Sequence, residues 1–495
     1  MEKVYEGTAG KQYSSLVIRN GILINGLGTP AAGPVDLLIE GDTITDVRLV
    51  DPVSLSRAGP DRKRPEGETV IDATGMYIIP GLVDMHAHPP ADVDTCGPRG
   101  AEYAYKLWLA HGVTTLRTCG WGGDETLFPH RLLGEENKMV VPRLVVLQQW
   151  PRELSCTPKE AREQVRKFKE LGADGIKLVQ MGRSAHLEPD VIEAMCDEAK
   201  KVGMTAGVAT HIGVSHTDAV DMSNAGVSSI EHWYGIPQAA IPGTQHFPST
   251  YNEMNELDRF RWAAHLWKEA EWYHDELVEV LDLLISNGTI WVPTMATYEA
   301  NRDLGRAKTL GLHEKYTVPS LIRYWSPAPG HHASYHFEWK TSDEIAWKEN
   351  FRIWMKYLKV FFERGGTITV GSDAGSLYTA YGFSTVRELE LLQEAGIDPV
   401  DIIKMATTNA TKALRFDKLA GGVRKGATAD LAIIDGNPLD DFKVMYGTGL
   451  ERFSEDRTRK IHCGGVKWTI KNGAVFDAQA LLRDVADYVR EMKNS

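Results

Sequence analysis

Two histidines, His86 and His88, end the apolar run MYIIPGLVDMHAH. On an extended strand, side chains two residues apart point the same way, so both imidazoles could reach one metal ion. The chain has 16 histidines, and a single buried histidine is more often a hydrogen-bonded core residue than a ligand. The pair therefore predicts a metal site only if other ligands accompany it.

Four further ionisable residues occur in later apolar runs. Lys177 lies inside GADGIKLV, where an unpaired ammonium is costly to bury, so it must find a partner, shift its pKa or be chemically modified. His211 ends MTAGVATH, His232 ends VSSIEH, and Asp373 ends TITVGSD. Because each run delivers one metal-competent side chain near its C-terminal end, we expect these residues to share one metal centre.

Apolar, strand-like runs alternate with amphipathic helical stretches through most of the chain. Parallel strands need long, usually helical connections, so this pattern predicts an α/β fold with a (β/α)8 TIM-like barrel. One connecting helix is predicted in PKEAREQVRKFKELG, with Val165, Phe168 and Leu171 on one face. The eight expected strands span residues 76–86, 112–119, 143–149, 174–180, 204–211, 227–232, 289–295 and 367–373.

Short β-like runs also precede and follow the expected barrel. They predict a small β-sandwich built from both chain ends, with residues 1–75 as its N-terminal part and 416–480 as its C-terminal part. The barrel would then span residues 76–415. Residues 481–495 form an amphipathic closing helix that docks on the body or on another subunit.

The order His-x-His, Lys, His, His, Asp over eight strands resembles the amidohydrolase superfamily in its two-metal form. The segments IIPGLVDMHAH, GADGIKL, AGVSSIEHWYG, GSDAG, ATTNATKAL and GGVRKGATADLAIIDG are similar to that family, and residues 233–366 are least similar. Within the family, GADGIKL and AGVSSIEH look closest to prolidase-like and ochratoxinase-like amidases.

The resemblance implies a role for each candidate ligand. It assigns His86, His88 and Asp373 to the more buried of two divalent metal ions, and His211 and His232 to the more exposed one. Lys177 would carry a carbamate that bridges the two metals as an anion. A metal-bridging hydroxide would be the nucleophile, and Asp373 would take its proton and pass it to the leaving nitrogen. Zinc is the default metal, although Mn, Co or Fe fit similar ligands.

The implied reaction is hydrolysis of a C–N amide or peptide-like bond in a small, apolar or aromatic molecule. One alternative is a single-metal deaminase of a small heterocycle. Family members of that type have a glutamate three residues after the histidine of the fifth strand. This chain has Val214 at that position. A second alternative is a metal-free scaffold protein, which the complete set of competent ligands disfavours.

Aromatic residues are concentrated after the sixth expected strand, where nine of the 13 tryptophans lie between Trp233 and Trp354. They would either line a lid over an apolar pocket or pack on each other or on a second subunit. The sequence leaves both interpretations open. Four residues that follow strands are candidates for substrate contact: Trp121, Arg183, His216 and Tyr234.

Composition narrows the class of protein. The 495 residues are 43% hydrophobic and 25% charged, as in ordinary globular proteins. A net charge of −12 without a basic run gives no electrostatic reason to bind nucleic acid or an anionic membrane. Five scattered cysteines without a Cys-x-x-Cys pair, and no signal peptide or membrane span, favour a cytoplasmic protein. The expected partner is a small-molecule substrate, with a homo-oligomer expected from the family resemblance.

Overall fold

A computed structural model describes most of the chain. The described residues are 9–51, 53, 64–90, 96–97, 99–120, 124–181, 186–213, 217–243, 248–328, 335–416 and 422–495. The strands, in chain order, are β1 (Ser15–Leu23), β2 (Ala32–Glu40), β3 (Thr43–Leu49), β4 (Thr69–Asp72), β5 (Tyr77–Pro80), β6 (Leu82–Ala87), β7 (Val113–Thr118), β8 (Arg143–Gln149), β9 (Gly175–Gln180), β10 (Gly207–Ile212), β11 (Ser229–Glu231), β12 (Ile290–Val292), β13 (Leu431–Asp435), β14 (Leu450–Phe453), β15 (Lys460–Cys463), β16 (Gly465–Lys471) and β17 (Ala474–Asp477).

The helices surround the strands and form the long insertion between β11 and residue 367. In chain order they are α1 (Ala101–Ala110), α2 (Leu127–Glu135), α3 (Pro158–Glu170), α4 (Pro189–Lys201), α5 (Ala219–Asn224), α6 (Ile236–Ala240), α7 (Glu256–Ala263), α8 (Leu266–Ala270), α9 (His274–Ser286), α10 (Met295–Arg302), α11 (Leu304–Lys308), α12 (Leu312–Tyr316), α13 (Pro319–Trp325), α14 (Thr341–Glu363), α15 (Phe383–Glu394), α16 (Pro399–Lys404), α17 (Ala410–Ala413) and α18 (Ala478–Asn494). A π-helix, Met405–Asn409, joins α16 to α17.

Seven parallel strands form a nearly closed barrel in the order β12-β11-β10-β9-β8-β7-β6. They confirm seven of the eight predicted barrel runs, since each run overlaps one of these strands, although the first run also includes β5 of the other sheet. The near-continuous burial of β6, β7 and β9 fits strands that are covered on both faces. Helices between successive strands provide the crossovers that parallel pairing requires.

The eighth expected strand, at residues 367–373, is not a regular strand. Its segment meets the two barrel edges through isolated bridges, from Ile368 to Trp291 of β12 and from Ala374 to Ala87 of β6. Backbone bonds supplement them, including Met85 N to Val370 O at 2.8 Å. Gly371 explains the close approach, because a Cβ there would lie 2.6 Å from a methyl carbon of Val292.

Helix α3 confirms the predicted connecting helix. Thr157 caps its first turn in a capping box with Glu160, and Val165 and Phe168 are buried as predicted. The prediction for Leu171 was wrong, because this residue follows the last helical residue and is 50% exposed. Gly172 follows with φ of 98° and ends the helix in a left-handed turn.

The two chain ends build one continuous eight-stranded sheet, in the order β17-β16-β13-β5-β1-β2-β3, with β4 paired to β1. It is one hydrogen-bonded sheet where the sequence predicted a sandwich. Its apolar side chains form a second core beside that of the barrel. Strand β5 pairs with both β1 and β13, so this sheet includes residues 77–80, just past the predicted boundary at residue 75. The domain limits themselves stay a prediction.

The closing helix α18 docks on the body of the protein against α1. Asp484 accepts hydrogen bonds from Arg99 at 2.9 Å and Lys106 at 2.8 Å, and the Tyr488 hydroxyl donates to Cys96 O at 2.8 Å. The five cysteines are free thiols. In the part of the chain that the structure describes, no helix combines the length and apolar character needed to cross a bilayer.

Candidate metal centre and active site

All six predicted metal ligands line one cavity of about 600 Å³. The strand order explains the convergence, because the C-terminal ends of parallel barrel strands open at the same face. The six side chains come from β6 and the residue after it, from β9 and β10, from the residue after β11, and from the segment after residue 367: His86, His88, Lys177, His211, His232 and Asp373.

Asp373 lies at the centre of the histidine cluster. Its Oδ1 is 2.9 Å from Nε2 of His88 and 3.5 Å from Nε2 of His86, and its Oδ2 is 4.0 Å from Nδ1 of His232. Ligand atoms of His86, His232 and Asp373 all lie within 4.8 Å of one another, which is close enough for one ion. The rings of His211 and His232 are 4.2 Å apart, so a further imidazole adjoins this group.

Lys177 tests whether these residues fit a divalent metal. Its side chain is buried, at 3% exposure, and Nζ has no hydrogen-bond partner among the described residues. A buried ammonium without a partner is costly, whereas a carbamylated lysine is an anionic oxygen ligand. Four imidazoles, a carboxylate and such a lysine are the donor set that zinc and related ions prefer. The residues present therefore fit the group.

Electrostatics keep the ligands in metal-binding forms. Burial lowers the pKa of His86 and that of His232 well below the usual histidine value, so both imidazoles are neutral near neutral pH. Burial alone would raise the pKa of Asp373, but its contacts with His86 and His88 lower the pKa further than burial raises it. Asp373 is therefore a carboxylate. Neutral imidazole and ionised carboxylate are the forms that bind metal.

The buried ion pair of Arg117 and Glu231 contacts the ring of His86. Glu231 Oε2 lies 2.5 Å from Nδ1 of His86, and Glu231 Oε1 accepts hydrogen bonds from Arg117 at 2.6 Å and Ser229 at 2.5 Å. Arg117 also donates to Met85 O at 2.6 Å. A carboxylate on one ring nitrogen fixes the tautomer, so Nε2 of His86 is left free to act as a ligand.

The backbone conformation at His232 and Asp373 orients these two candidate ligands. His232 and Asp373 have φ of 65° and 53°, in the left-handed region that non-glycine residues seldom adopt. Thr294, with φ of 52°, lies opposite and its Oγ1 is 2.5 Å from Nδ1 of His232. Trp291 donates its indole N–H to the backbone carbonyl of His232. Positions of this kind cluster at functional sites, because the surrounding contacts hold them in place.

Asp84 ties the first strand to the segment that carries Asp373. Its Oδ1 accepts from Ser372 N at 2.9 Å, and its Oδ2 accepts from Ser372 Oγ at 2.5 Å and Thr385 Oγ1 at 2.7 Å. Burial raises the pKa of Asp84, while these hydrogen bonds oppose the rise. Asp84 is two residues before His86, so one buried carboxyl group orients both sides of the histidine cluster.

The walls of the cavity combine charge with aromatic surface. Arg152, Glu256 and Arg259 lie on one wall. Aromatic rings of the insertion line the cavity as well: Phe260, Tyr298, Tyr335 and Phe337. A cavity of this size with a few charged groups is typical of small-molecule sites.

Most tryptophans of the insertion are buried and do not line this cavity. Six of the nine are fully buried: Trp233, Trp267, Trp291, Trp325, Trp347 and Trp354. Trp233 is 6.1 Å from both Trp267 and Trp354, ring centre to ring centre. The aromatic-rich stretch is therefore mainly a packed core, and among its described residues tyrosine and phenylalanine rings line the cavity.

Of the four predicted substrate contacts, Tyr234 is in the described part of the chain. Tyr234 does not line the cavity: it is 2% exposed, and its ring stacks on that of His211 at 5.6 Å. Trp121, Arg183 and His216 lie outside the described residues.

Sequence reasoning missed several residues of the site. Arg117 and Glu231 were visible as charged residues inside the apolar runs GVTTLRTC and VSSIEH, which is the same signal that identified Lys177. Arg152 and Arg259 carried no such signal, because arginines in polar connecting segments are ordinary surface residues.

Comparison with known proteins places the chain in a family. The sequence matches the amidohydrolase family over residues 77–256 and 355–473, which is more than half of the chain. The protein therefore belongs to the amidohydrolase family, whose members generally use divalent metal ions.

Individual relatives are similar over shorter stretches. Dihydroorotase of Bacillus licheniformis is 35% identical over 74 residues, or 15% of this chain and 14% of that protein. Ochratoxinase of Aspergillus niger is 37% identical over 83 residues, or 16% of each chain. Adenine deaminase 2 of Rhizobium etli is 39% identical over 93 residues, or 17% of this chain and 15% of that protein. The chain thus matches less than a fifth of the length of these relatives.

Solved structures share the fold over nearly the whole chain. A Xaa-Pro dipeptidase with bound methionine in its active site has a TM-score of 0.61 and 21% identity, covering 94% of this chain and all of that one. Bottromycin amidohydrolase has a TM-score of 0.64 and 19% identity, over 96% and 91% of the two chains. A. niger ochratoxinase has a TM-score of 0.58 and 18% identity, covering 94% of this chain and 96% of that one.

Proposed function

We propose that this protein is a metal-dependent hydrolase that cleaves an amide or peptide-like C–N bond of a small, apolar or aromatic molecule. The observation that carries the proposal is the convergence of four histidines, Lys177 and Asp373 in one cavity. Family membership supports hydrolysis of a C–N bond. The dipeptidase, amidohydrolase and ochratoxinase among the similar structures support an amide-type substrate.

Two divalent ions, for which zinc is the first choice, would occupy this centre. We assign the more buried ion to His86, His88 and Asp373, and the more exposed ion to His211 and His232. Lys177, as a carbamate, would bridge the two sets of ligands. When bound, the ions would lower the pKa of a water molecule and polarise the scissile carbonyl.

Asp373 would move the proton in this reaction. Its carboxylate is the ionised form at neutral pH, so either Oδ can accept the proton of the attacking water. The same carboxyl group can then donate that proton to the leaving nitrogen. Nε2 of His88 lies 2.9 Å from Oδ1 of Asp373, so both groups are placed to reach the same ion.

The walls would bind and orient the substrate. Tyr298, Tyr335 and Phe337 offer apolar surface for an aromatic or aliphatic group. Holding the amide in a fixed position replaces part of the entropy that a reaction in solution must lose.

The test is to measure metal content per chain by elemental analysis, on protein purified without added metal, and then to assay amine release from aryl amides, dipeptides and N-acyl amino acids. About two equivalents of metal together with amine release would support the proposal. One equivalent with ammonia release from an adenine-like heterocycle would favour the deaminase alternative. Failure to take up any metal would favour a scaffold protein.

A further inference from the structure

Two arginines, Arg152 and Arg259, line the cavity together with the carboxylate of Glu256. Helix α7, which carries Arg259, belongs to the insertion that is least similar to the family. Neither arginine is used by the proposed chemistry at the metal centre.

Arg259 is held in a fixed orientation. Its side chain is 8% exposed, Nη1 donates to Glu253 O at 3.1 Å, and Nη2 pairs with Glu256 Oε1 at 3.3 Å. Its guanidinium carbon lies 5.4 Å from the centre of the Phe260 ring. Nε makes no hydrogen bond with any described residue. The guanidinium is thus preorganised, yet the residues that the structure describes do not saturate its donors.

Arg152 lines the same cavity and lies within electrostatic range of Arg259 and Glu256. Desolvation lowers its pKa, the charge of Arg259 lowers it further, and Glu256 opposes both effects. Glu256, which acts electrostatically on Arg152, already pairs with Arg259. Two guanidinium groups therefore line the same cavity, where a bound anion would be attracted to both.

We infer that Arg152 and Arg259 bind a carboxylate on the substrate, which makes the substrate class anionic amides with an aromatic part. This inference rests on the proposed hydrolase function. Guanidinium groups suit a carboxylate because their planar N–H donors match its two oxygens. The aromatic part would lie against the neighbouring rings, where Phe260 and Tyr335 stack with ring centres 3.7 Å apart.

The test compares two pairs of amides that match in shape and differ in charge. The first pair is N-benzoylglycine and N-isobutylbenzamide, with the carboxylate on the amine side of the scissile bond. The second pair is N-phenylsuccinamic acid and 4-methyl-N-phenylpentanamide, with the carboxylate on the acyl side. For each compound we would measure kcat and KM, and separately Kd by calorimetry, on the metal-loaded protein.

We expect the protein to prefer the anionic member of at least one pair by about tenfold or more, in both kcat/KM and Kd. Arg152→Gln and Arg259→Gln should each reduce that preference by roughly tenfold, mainly through KM for the anionic amide. Arg259→Lys keeps the positive charge. It should therefore retain more of the preference for the anionic amide than Arg259→Gln does, which separates lost anion binding from lost stability. Arg166→Gln is the matched control, because Arg166 pairs with Glu198 on the helical surface.

Equal binding of anionic and neutral amides in both pairs would overturn the inference, as would an unchanged preference in the two glutamine variants. The two hypotheses fail separately. If the neutral amides are hydrolysed as fast as the anionic ones, the hydrolase function stands and the inference fails. If the anions bind through the arginines but no amide is cleaved, the carboxylate site stands and the hydrolase function fails.

Discussion

Oε2 of Glu231 lies 2.5 Å from Nδ1 of His86, on the ring nitrogen opposite the Nε2 atom that faces Asp373. Through this contact, the buried ion pair of Glu231 and Arg117 holds the ring of a candidate metal ligand. Arg117 holds the other oxygen of Glu231, so the carboxylate is fixed before any metal arrives. Contacts of this kind set the tautomer and the basicity of a ligating histidine.

Glu231→Gln should therefore weaken metal binding by roughly 10- to 100-fold, because the amide keeps the size of the side chain but loses its charge. Competition with a coloured chelator measures the change. Glu198→Gln, which removes another buried carboxylate that pairs with Arg162 and Arg166 but does not line the cavity, should leave metal affinity unaltered. Wild-type affinity in Glu231→Gln would show that the contact has no such role.

Lys177→Ala should lose metal and amide hydrolysis together, because the variant cannot form the bridging carbamate. A short carboxylic acid such as acetate should restore part of the activity by filling the gap. The control is Lys106→Ala, since Lys106 is also a buried lysine but pairs with Glu102 and Asp484. Two metals per chain in Lys177→Ala, by elemental analysis, would contradict the bridging role.

Asp373→Asn should keep the fold and lose turnover. Asparagine retains one oxygen for metal but cannot accept and return a proton, a function that contributes about 10²- to 10⁴-fold to such reactions. Circular dichroism and elemental analysis would check fold and metal, and amine release would check activity. An active Asp373→Asn enzyme would contradict the proposed proton transfer.

Glu388 should make stability depend on pH. Burial raises its pKa to about 8 from an ordinary 4.5, although it accepts N–H bonds from Met295 at 2.9 Å and Ala296 at 2.7 Å. Between these two pKa values the folded protein keeps the proton that the unfolded chain has released. Stability should therefore fall as pH rises from about 4.5 to 8, by up to about 1.4 kcal/mol per pH unit from this group.

Glu388→Gln isolates that effect. The variant should lose this part of the slope in the free energy of unfolding, measured by denaturant titration at pH 5, 6, 7 and 8. Other groups contribute equally to both proteins, so the difference between the two slopes is the quantity to compare. Identical slopes would show that Glu388 does not change its protonation in this range.

Trp347 should stabilise two residues that line the cavity. Its Nε1 donates to Phe260 O at 3.0 Å and its ring stacks on Tyr298 at 5.6 Å, and both partners line the cavity. Trp347→Ala should cost about 3–5 kcal/mol in unfolding free energy and raise KM. Trp272→Ala, at a position that is 84% exposed, should change stability by less than about 0.5 kcal/mol. Comparable losses in both variants would refute this account.

The sequence was informative wherever a charged side chain interrupted an apolar run. His86 and His88 were found because a strand places alternate residues on one side, and Lys177 because an ammonium is out of place in a buried strand. The same argument could have found Glu231 and Arg117. It could not show that the two residues meet, because Arg117 and Glu231 lie on strands far apart in sequence.

Other features depended on packing that one sequence does not reveal. Residues 367–373 have the composition of a strand, yet close contact at Gly371 and the left-handed turn at Asp373 leave only isolated bridges. Tryptophans suit a core and a pocket equally well, so their burial was not predictable from type. Arg152 and Arg259 became visible as site residues only when the insertion was placed beside the barrel.

The pairing of β5 with β13 has a consequence for how the chain acquires its structure. These neighbouring strands are separated in sequence by the whole barrel, so their register cannot form until the barrel residues have collapsed enough to bring Pro80 and Leu431 together. Pairings between such distant segments are formed late and slowly, because loop-closure entropy must be lost first. During synthesis, β1 and β5 would wait with an uncovered sheet edge until β13 emerges, and in that interval the chain is most exposed to misassembly and most in need of chaperones.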